Sequence, residues 1–255
     1  MNKAMGSGVR FTDLHTHVLP MMDDGSQSAE QSVEMLRLLK RQGIDRVVAT
    51  PHFYPKQEDP DSFLKRRADS AAMLRSAIEF AGLEGELPEV LIGAEVAYYS
   101  GMSLSKRVKE LCIEGTDVML LEMPFSKWTD AVVNEVCKMQ MELGVQIILA
   151  HVDRYFQYFD NAKLYKLKSY RVMMQINADP FLEFWSGRRV LKLLGTNMIG
   201  ALGSDCHNLD VRRSNMDEAI ARIREKGYGQ KLAGVMRGVD SLLSGAVALV
   251  DTTSK

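Results

Sequence analysis

Short apolar runs alternate with longer amphipathic stretches along the whole chain. Seven runs rich in apolar and β-branched residues predict strands, over 9–14, 46–50, 90–95, 118–122, 146–151, 173–177 and 198–203. Between them, apolar residues three or four positions apart predict helices over 29–41, 61–81, 130–143 and 181–194. Strands that alternate with helices in this way are typical of a parallel sheet covered by helices.

Seven strand–helix units are compatible with an incomplete closed barrel or with an open, doubly wound sheet. No G-x-G-x-x-G fingerprint follows the first strand, so a dinucleotide site is not indicated. No repeat, linker or change of composition divides the 255 residues, and we expect a single domain over 1–255. Within it we predict a flexible stretch over 1–8 and a helical tail over 214–255.

Composition and charge narrow the classes of function. The chain is 46% apolar and 25% charged, as in folded globular proteins. Its net charge of −1 gives no basic excess for nucleic acid or anionic lipid, so neither partner is expected. The apolar stretch over 242–250 is far shorter than the roughly 20 residues that span a bilayer. With no secretory signal recognised and three widely spaced cysteines, we expect a cytoplasmic protein with free thiols and no membrane insertion.

Candidate chemistry lies at the ends of the predicted strands. All five histidines of the chain end a strand or follow one closely: His15, His17, His52, His151 and His207. One histidine at such a place is usually a core or capping residue, but five of five are not expected by chance. Because the carboxyl ends of parallel strands meet at one rim, and imidazoles with carboxylates bind divalent ions, we predict a metal centre there.

Residue spacing gives a geometric reason for this prediction. Residues i and i+2 of an extended chain point to the same side. His15 with His17, and Asp205 with His207, can therefore each offer two ligands to a common site. Glu95 is the candidate carboxylate to bridge two ions about 3.5–4 Å apart, the separation used in two-metal phosphoryl transfer.

Three aspartates and two arginines complete the predicted rim. Asp23 and Asp24 follow the first histidine pair and form either a turn or a ligand, with Asp24 the favoured ligand, while Asp13 is expected to orient an imidazole. Arg154 and Arg212 follow His151 and His207 by three and five residues. Each alone could be a surface ion pair, but together beside a cation cluster they favour a bidentate phosphate clamp.

Two further patterns have a simpler interpretation. Cys206 and Arg212 have the C-x5-R spacing of thiol-based tyrosine phosphatases, but Asp210 would place a carboxylate against the phosphate. We therefore expect Cys206 to be a small buried filler. Several aromatic residues could wall a pocket for an aromatic leaving group, although core packing is the stronger prediction. These residues are Phe53, Tyr54 and Tyr155, and core packing is also predicted for Phe181, Phe184 and Trp185.

Taken in order, seven motifs are specific enough to indicate a family: DLHTHVLPMMDDG, ATPH, GAEVAYY, LLEMPF, ILAHVDRY, QINAD and GSDCHNLDVR. Over 12–213 the chain resembles the bacterial metal-dependent protein-tyrosine phosphatases of capsule and exopolysaccharide loci, within the polymerase-and-histidinol-phosphatase superfamily. The resemblance implies a distorted (β/α)7 barrel with two or three divalent ions, usually manganese, with iron or zinc as alternatives. The implied ligands are His15, His17, Asp24, His52, Glu95, Glu122, His151, Asp205 and His207, and Arg154 and Arg212 are implied to hold phosphate.

The same resemblance implies a substrate. Members of the family that the chain resembles dephosphorylate tyrosines of a partner bacterial tyrosine kinase that controls polysaccharide export. We expect a hydroxide activated by the cations to attack phosphorus. A histidinol-phosphate phosphatase or another small phosphomonoesterase on the same scaffold is the main alternative. A nuclease is disfavoured by charge, and an inactive scaffold by the cost of clustering carboxylates without a cation. Phe53-Tyr54-Pro55 is less basic than in many relatives, which predicts different peptide contacts.

Overall fold

The computed structural model describes residues 9–158 and 161–250. The predicted flexible stretch over 1–8 and the last five residues of the predicted tail lie outside the described residues. The strands are β1 Thr12–Thr16, β2 Arg46–Ala49, β3 His52–Phe53, β4 Glu89–Ile92, β5 Glu95–Ala97, β6 Val118–Glu122, β7 Gln146–Leu149, β8 Met173–Asn177 and β9 Ala201–Gly203. The helices are α1 Ala29–Arg41, α2 Pro60–Phe80, α3 Asp130–Glu142, α4 Asn161–Ser169, α5 Phe184–Gly195, α6 Met216–Glu225 and α7 Gly229–Leu242.

The strands form a curled, parallel sheet, as the alternation of strands and helices predicts. One part has the order β1-β2-β4 and the other the order β3-β5-β6-β7-β8-β9, and every strand pair is parallel. The chain passes from β2 into β3, and from β4 into β5, after interruptions of two residues. Asp205 N donates to His15 O at 2.8 Å and His17 N to Cys206 O at 2.9 Å, which brings the segment after β9 beside β1. The carboxyl ends of the strands therefore share one rim.

Local breaks account for the differences from the predicted elements. The predicted strand over 90–95 is two strands, because the chain is interrupted at Gly93, whose carbonyl accepts a hydrogen bond from the buried Arg67 guanidinium at 3.1 Å. The first strand ends at Thr16, two residues later than predicted, and so includes His15. The predicted helix over 181–194 becomes a 3-10 turn, Asp179–Phe181, followed by α5.

The core has an inner and an outer layer. Inside the curled sheet, apolar side chains of the strands pack together with Val239 of α7 and Leu243 just after it; the strand residues are Leu14, Val48, Leu91, Val118, Leu120, Ile148 and Ala201. Outside the sheet, side chains such as Leu36 of α1 fill the space beneath the helices. The predicted helical tail is thus part of the fold, since α7 closes the inner layer and Leu249 N donates to Val90 O at 2.7 Å. Within the described ranges, every helix is too short or too polar to cross a membrane.

A candidate metal centre at the carboxyl rim

The nine candidate metal ligands converge at the carboxyl rim. Their ligand atoms form three groups, two of which share His17, and the atoms of each group all lie within 4.8 Å of one another. The groups are His15, His17 and Asp205; His17, Asp24, His52 and His207; and Glu95, Glu122 and His151. The predicted convergence of residues far apart in the sequence is therefore present in the structure. His17 belongs to both of the first two groups, so these groups lie next to each other.

Glu95 lies at the centre of this cluster. It is the first residue of β5 and is buried, with Oε1 2.7 Å from His151 Nε2. Its other oxygen, Oε2, lies 2.9 Å from His52 Nδ1, 3.1 Å from His15 Nε2 and 3.5 Å from His17 Nε2. One carboxylate thus faces four imidazoles, which lie in or just after three strands, β1, β3 and β7, as expected of a carboxylate suited to bridge two cations.

The i, i+2 pair at the end of β1 points into the cluster as predicted. His15 Nε2 and His17 Nε2 are 3.2 Å apart, and Asp205 Oδ1 lies 3.5 Å from the first and 3.3 Å from the second. Asp205 and His151 both have positive φ, 54° and 28°. Such conformations cost of order 1–3 kcal/mol for residues other than glycine, so the fold holds strained backbone at two positions of the cluster.

The two loop aspartates have different surroundings. Asp24 Oδ1 lies 3.3 Å from His207 Nε2 and 3.6 Å from His52 Nε2, on the side where the cluster opens to solvent. Asp23 lies behind His17, accepts from its Nδ1 at 2.8 Å, and also accepts the backbone N–H of His52 at 2.9 Å. Although burial opposes its charged form, this contact with His17 holds the pKa of Asp23 below its usual range. Asp24 therefore belongs to one of the groups that could hold an ion, whereas Asp23 orients an imidazole.

Asp13 was predicted to orient an imidazole, and this prediction was wrong. Asp13 Oδ1 accepts the backbone N–H of Ser204 at 2.7 Å and that of His15 at 3.3 Å, and within the described chain it makes no hydrogen bond to an imidazole ring. It is fully buried and joins β1 to the segment after β9. Asp13 therefore positions the backbone of the cluster instead of a ring.

Sequence reasoning missed Gln175 and Asn177, two polar residues on the buried strand β8. Gln175 Oε1 accepts the backbone N–H of His151 at 2.6 Å and lies 3.3 Å from His15 Nδ1. Gln175 Nε2 donates to Asn177 Oδ1 at 2.9 Å, and Asn177 Nδ2 donates to Asp205 Oδ2 at 3.1 Å. An acceptor beside Nδ1 favours a proton on that nitrogen and leaves the lone pair of Nε2 facing the cluster. Both residues belong to the QINAD motif, but neither that motif nor the i, i+2 spacing of two amides in an apolar strand indicated these contacts.

Gln175→Leu is expected to weaken divalent metal binding about 10- to 100-fold, the usual effect of losing a group that orients a metal-binding histidine. The reason is that His15 loses the acceptor that fixes its Nδ1 proton. Titration of chelator-treated protein with manganese, followed by calorimetry, measures the change. Gln140→Leu is a matched control on α3, because Gln140 bonds to Gln146 at 3.0 Å and to the backbone of Ile147. Equal affinities of wild type and Gln175→Leu would contradict this role.

The electrostatics of the cluster favour added positive charge. Burial opposes the charged form of His17, yet contacts with Asp205 and Asp23 raise its pKa to about 10. Burial likewise opposes protonation of His151, but Glu122 and Glu95 raise its pKa to about 9. Three ligand atoms, Glu95 Oε2, His52 Nδ1 and His207 Nε2, are buried without a hydrogen bond of acceptable geometry to any described residue. Buried imidazole and carboxylate atoms that lack a well-aligned hydrogen bond are suited to a cation.

These pKa values predict opposite effects of pH on stability and on metal binding. The raised pKa values of His17 and His151, about 10 and about 9, give the chelator-treated protein stability that is complete below the unfolded pKa and is lost as pH rises. Its melting temperature should therefore fall between about pH 7 and pH 10. Over the same range the temperature increase caused by manganese should grow, because the metal no longer competes with protons. Thermal unfolding with and without metal tests this, and a melting temperature that stays flat would count against it.

Both predicted arginines face the cluster. Arg154 contacts Asp205 Oδ2 through Nη2. Arg212 Nη1 lies 3.0 Å from Asp24 Oδ2, and its Nη2 lies 3.4 Å from Asp205 Oδ1. Their side chains are 39% and 36% exposed. Each guanidinium therefore has one side against carboxylates of the cluster and another accessible to an anion that approaches from solvent.

Core packing is confirmed for two of the three aromatic residues near the predicted ligands. Phe53 and Tyr155 are buried, as core packing requires, whereas Tyr54 is half-buried with its ring stacked on His52. Burial, together with the charges of Glu122 and Glu95, raises the pKa of the Tyr54 hydroxyl, so it stays neutral. Sequence reasoning missed Phe125, which stacks on His151 and is 48% exposed.

Core packing was the wrong prediction for two residues of α5. Phe184 and Trp185 are 63% and 79% exposed, and only Phe181 of that group is buried. For Cys206 the predicted burial is confirmed. Desolvation raises the pKa of its thiol to about 12, so it is not an activated nucleophile.

The chain is thus an α/β protein whose curled parallel sheet carries a cluster of imidazoles and carboxylates at its carboxyl rim. Proteins of this class are suited to hold metal ions. Within this class, residues 11–237 match the family described as capsular polysaccharide synthesis, CpsB/CapC, and the chain belongs to that family.

Two bacterial tyrosine-protein phosphatases are similar in sequence to most of this chain. Tyrosine-protein phosphatase YwqE of Bacillus subtilis strain 168 is 29% identical over 228 residues, which cover 86% of each chain. Tyrosine-protein phosphatase CpsB of Streptococcus agalactiae serotype V is 26% identical over 234 residues, covering 87% of this chain and 92% of the relative. A similar fold is found in the crystal structures of YwqE from Bacillus subtilis and CpsB from Streptococcus pneumoniae, which are described as unique metal-dependent tyrosine phosphatases. One chain of these structures matches this protein with a TM-score of 0.78 and 25% identity, and the match covers 93% of this chain and 96% of that chain. Histidinol phosphate phosphatase from Lactococcus lactis shares the fold, with a TM-score of 0.56 and 13% identity over 89% and 95%.

Proposed function

We propose that this protein is a metal-dependent phosphatase that hydrolyses phosphotyrosine in a partner protein. The observation that carries the proposal is Glu95 among four imidazoles, with Arg154 and Arg212 facing the same cluster. Family membership and the names of YwqE and CpsB support phosphotyrosine as the substrate.

Two or three divalent cations fit the residues at the rim. The proposed ligands are His15, His17, Asp24, His52, Glu95, Glu122, His151, Asp205 and His207. A set of imidazoles and carboxylates without thiolate suits manganese, our first choice, with iron or zinc as alternatives. When bound, such cations lower the pKa of a coordinated water and offset the charge of the phosphate.

The arginines and the leaving group complete the chemistry. Arg154 and Arg212 present planar forks that match two phosphate oxygens, and they stabilise charge that develops on those oxygens during the reaction. Tyrosine leaves as a phenolate of pKa near 10, so an aryl phosphate needs less assistance from a general acid than an alkyl phosphate does. Phosphotyrosine is therefore favoured over a small alkyl phosphomonoester.

We also propose a barrel topology, a partner and a cellular location for this protein. The interrupted strands, with β2 and β3 counted as one unit and β4 and β5 as another, support a distorted (β/α)7 barrel in a single domain. The partner we propose is a bacterial tyrosine kinase that controls polysaccharide export, which the capsular family supports. A cytoplasmic location is supported by three buried cysteines with free thiols.

The test compares substrates on manganese-loaded and chelator-treated protein. We expect hydrolysis of p-nitrophenyl phosphate and of a phosphotyrosine peptide that depends on the metal. A higher kcat/KM for the phosphotyrosine peptide than for histidinol phosphate supports the proposal, and the reverse order favours the histidinol-phosphate alternative. Equal rates before and after exhaustive chelation would reject a metal-dependent reaction.

A further inference from the structure

The aromatic rings of Phe125 and Tyr54 each stack on a different imidazole of the candidate metal centre. Phe125 stacks on His151, with ring centroids 5.9 Å apart and an angle of 22°. Tyr54 stacks on His52, with centroids 5.0 Å apart and an angle of 25°. His151 and His52 contact the two different oxygens of Glu95, at 2.7 Å and 2.9 Å. Each ring is therefore one imidazole away from a different oxygen of the central carboxylate, Glu95.

Phe125 is held in place although half of it is exposed. Its ring lies 5.2 Å from that of the buried Tyr155, and the Tyr155 hydroxyl accepts the backbone N–H of Met123 at 2.9 Å. This bond fixes the chain two residues before Phe125, at the end of β6. A large apolar ring that is 48% exposed and yet fixed beside a polar centre is suited to contact a ligand.

We propose that Phe125 and Tyr54 give the site its preference for aryl over alkyl phosphates by packing against the phenyl ring of the substrate. The proposal rests on the phosphatase function above and deepens it. A phosphotyrosine has a flat ring directly next to its phosphate, so a phosphate bound at the cluster would bring that ring near the two aromatic side chains. An alkyl phosphate such as phosphoserine has no ring to place there and gains nothing from them.

We expect loss of either ring to weaken the binding of aryl ligands selectively and moderately. Pairs of aromatic rings are stabilised by offset or edge contacts in addition to the area that they bury. Loss of one such contact should weaken binding of an aryl ligand about tenfold and leave an alkyl ligand unchanged. Neither ring carries a proposed metal ligand atom, and any effect that passes through His151 or His52 would change binding of aryl and alkyl ligands equally.

The experiment measures ring recognition with and without chemistry. Phe125→Ala and Phe125→Leu are compared with wild type for kcat/KM on a phosphotyrosine and a phosphoserine peptide, and for inhibition by phenylphosphonate and methylphosphonate. Tyr54→Ala and Tyr54→Phe form the second pair, in which phenylalanine keeps the ring. Phe80→Ala is the control, because Phe80 is a 97% exposed aromatic residue at the end of α2.

We expect both Phe125 variants and Tyr54→Ala to lose about tenfold for the phosphotyrosine peptide and for phenylphosphonate, and little for the other two ligands. Tyr54→Phe and Phe80→Ala should resemble wild type. Equal changes for aryl and alkyl ligands, or none, would overturn the inference even if the protein is an active phosphatase. If the wild-type protein fails to hydrolyse aryl phosphates at all, the proposed function itself is wrong.

Discussion

Glu95→Gln is expected to lower kcat/KM on aryl phosphates at least about a thousandfold and to reduce the amount of bound metal. The substitution keeps the size of the side chain and removes the negative charge that faces His15, His17, His52 and His151. Losing a bridging carboxylate removes several kcal/mol of stabilisation, and about 4 kcal/mol corresponds to a thousandfold in rate. Metal analysis of the purified variant, together with steady-state kinetics, measures both effects.

A second glutamate provides the control for this prediction. Glu135 also accepts several hydrogen bonds, from Tyr98 at 2.5 Å and from Gly101 at 2.7 Å, but it lies on α3, outside the three ligand groups. Glu135→Gln should retain metal and activity. A Glu95→Gln protein that keeps both its metal content and its rate would show that Glu95 is a structural residue.

Arg154→Met and Arg212→Met should each reduce kcat/KM about 10²- to 10³-fold while leaving the metal content unchanged, the scale measured when one charge-stabilising donor is removed from an active site. Both guanidinium groups contact carboxylates of the cluster and keep an exposed side. The lysine variants should recover only part of the activity, because an ammonium group lacks the bidentate fork.

The combination of rate and metal content separates two roles for the arginines. Phosphate-binding residues change the rate and the affinity for inorganic phosphate. Residues that only neutralise Asp24 and Asp205 would instead change the metal content when they are removed. Loss of metal from the methionine variants, with phosphate affinity preserved, would contradict the proposed role.

Elements with strong local signals were predictable from the sequence. Helix α1 has the predicted bounds, since its apolar spacing is regular and Ser28 caps its first turn through a hydrogen bond from Gln31 N. The strands over 118–122 and 173–177 also match. The break at Gly93, where the backbone carbonyl accepts from the distant Arg67, was not predicted, because local spacing does not encode such contacts, and α4 was missed altogether.

The candidate site was predictable to the extent that topology alone determines it. Parallel strands bring their carboxyl ends together, so histidines at those ends had to meet. Finer distinctions depend on contacts that spacing does not encode: Asp23 and Asp24 are adjacent in sequence, and only the path of their loop separates their surroundings. Trp185 was misjudged because helical spacing shows which residues share a face but does not show that the first turn of α5 extends beyond the core.

Anomalous scattering from crystals grown with manganese tests the central claim most directly. We predict at least two peaks at the carboxyl rim, about 4 Å apart or less, with Glu95 in contact with both and imidazoles of His15, His52 or His151 around them. A map with no peak at this rim, or with peaks only on carboxylates of the outer surface, would contradict the account.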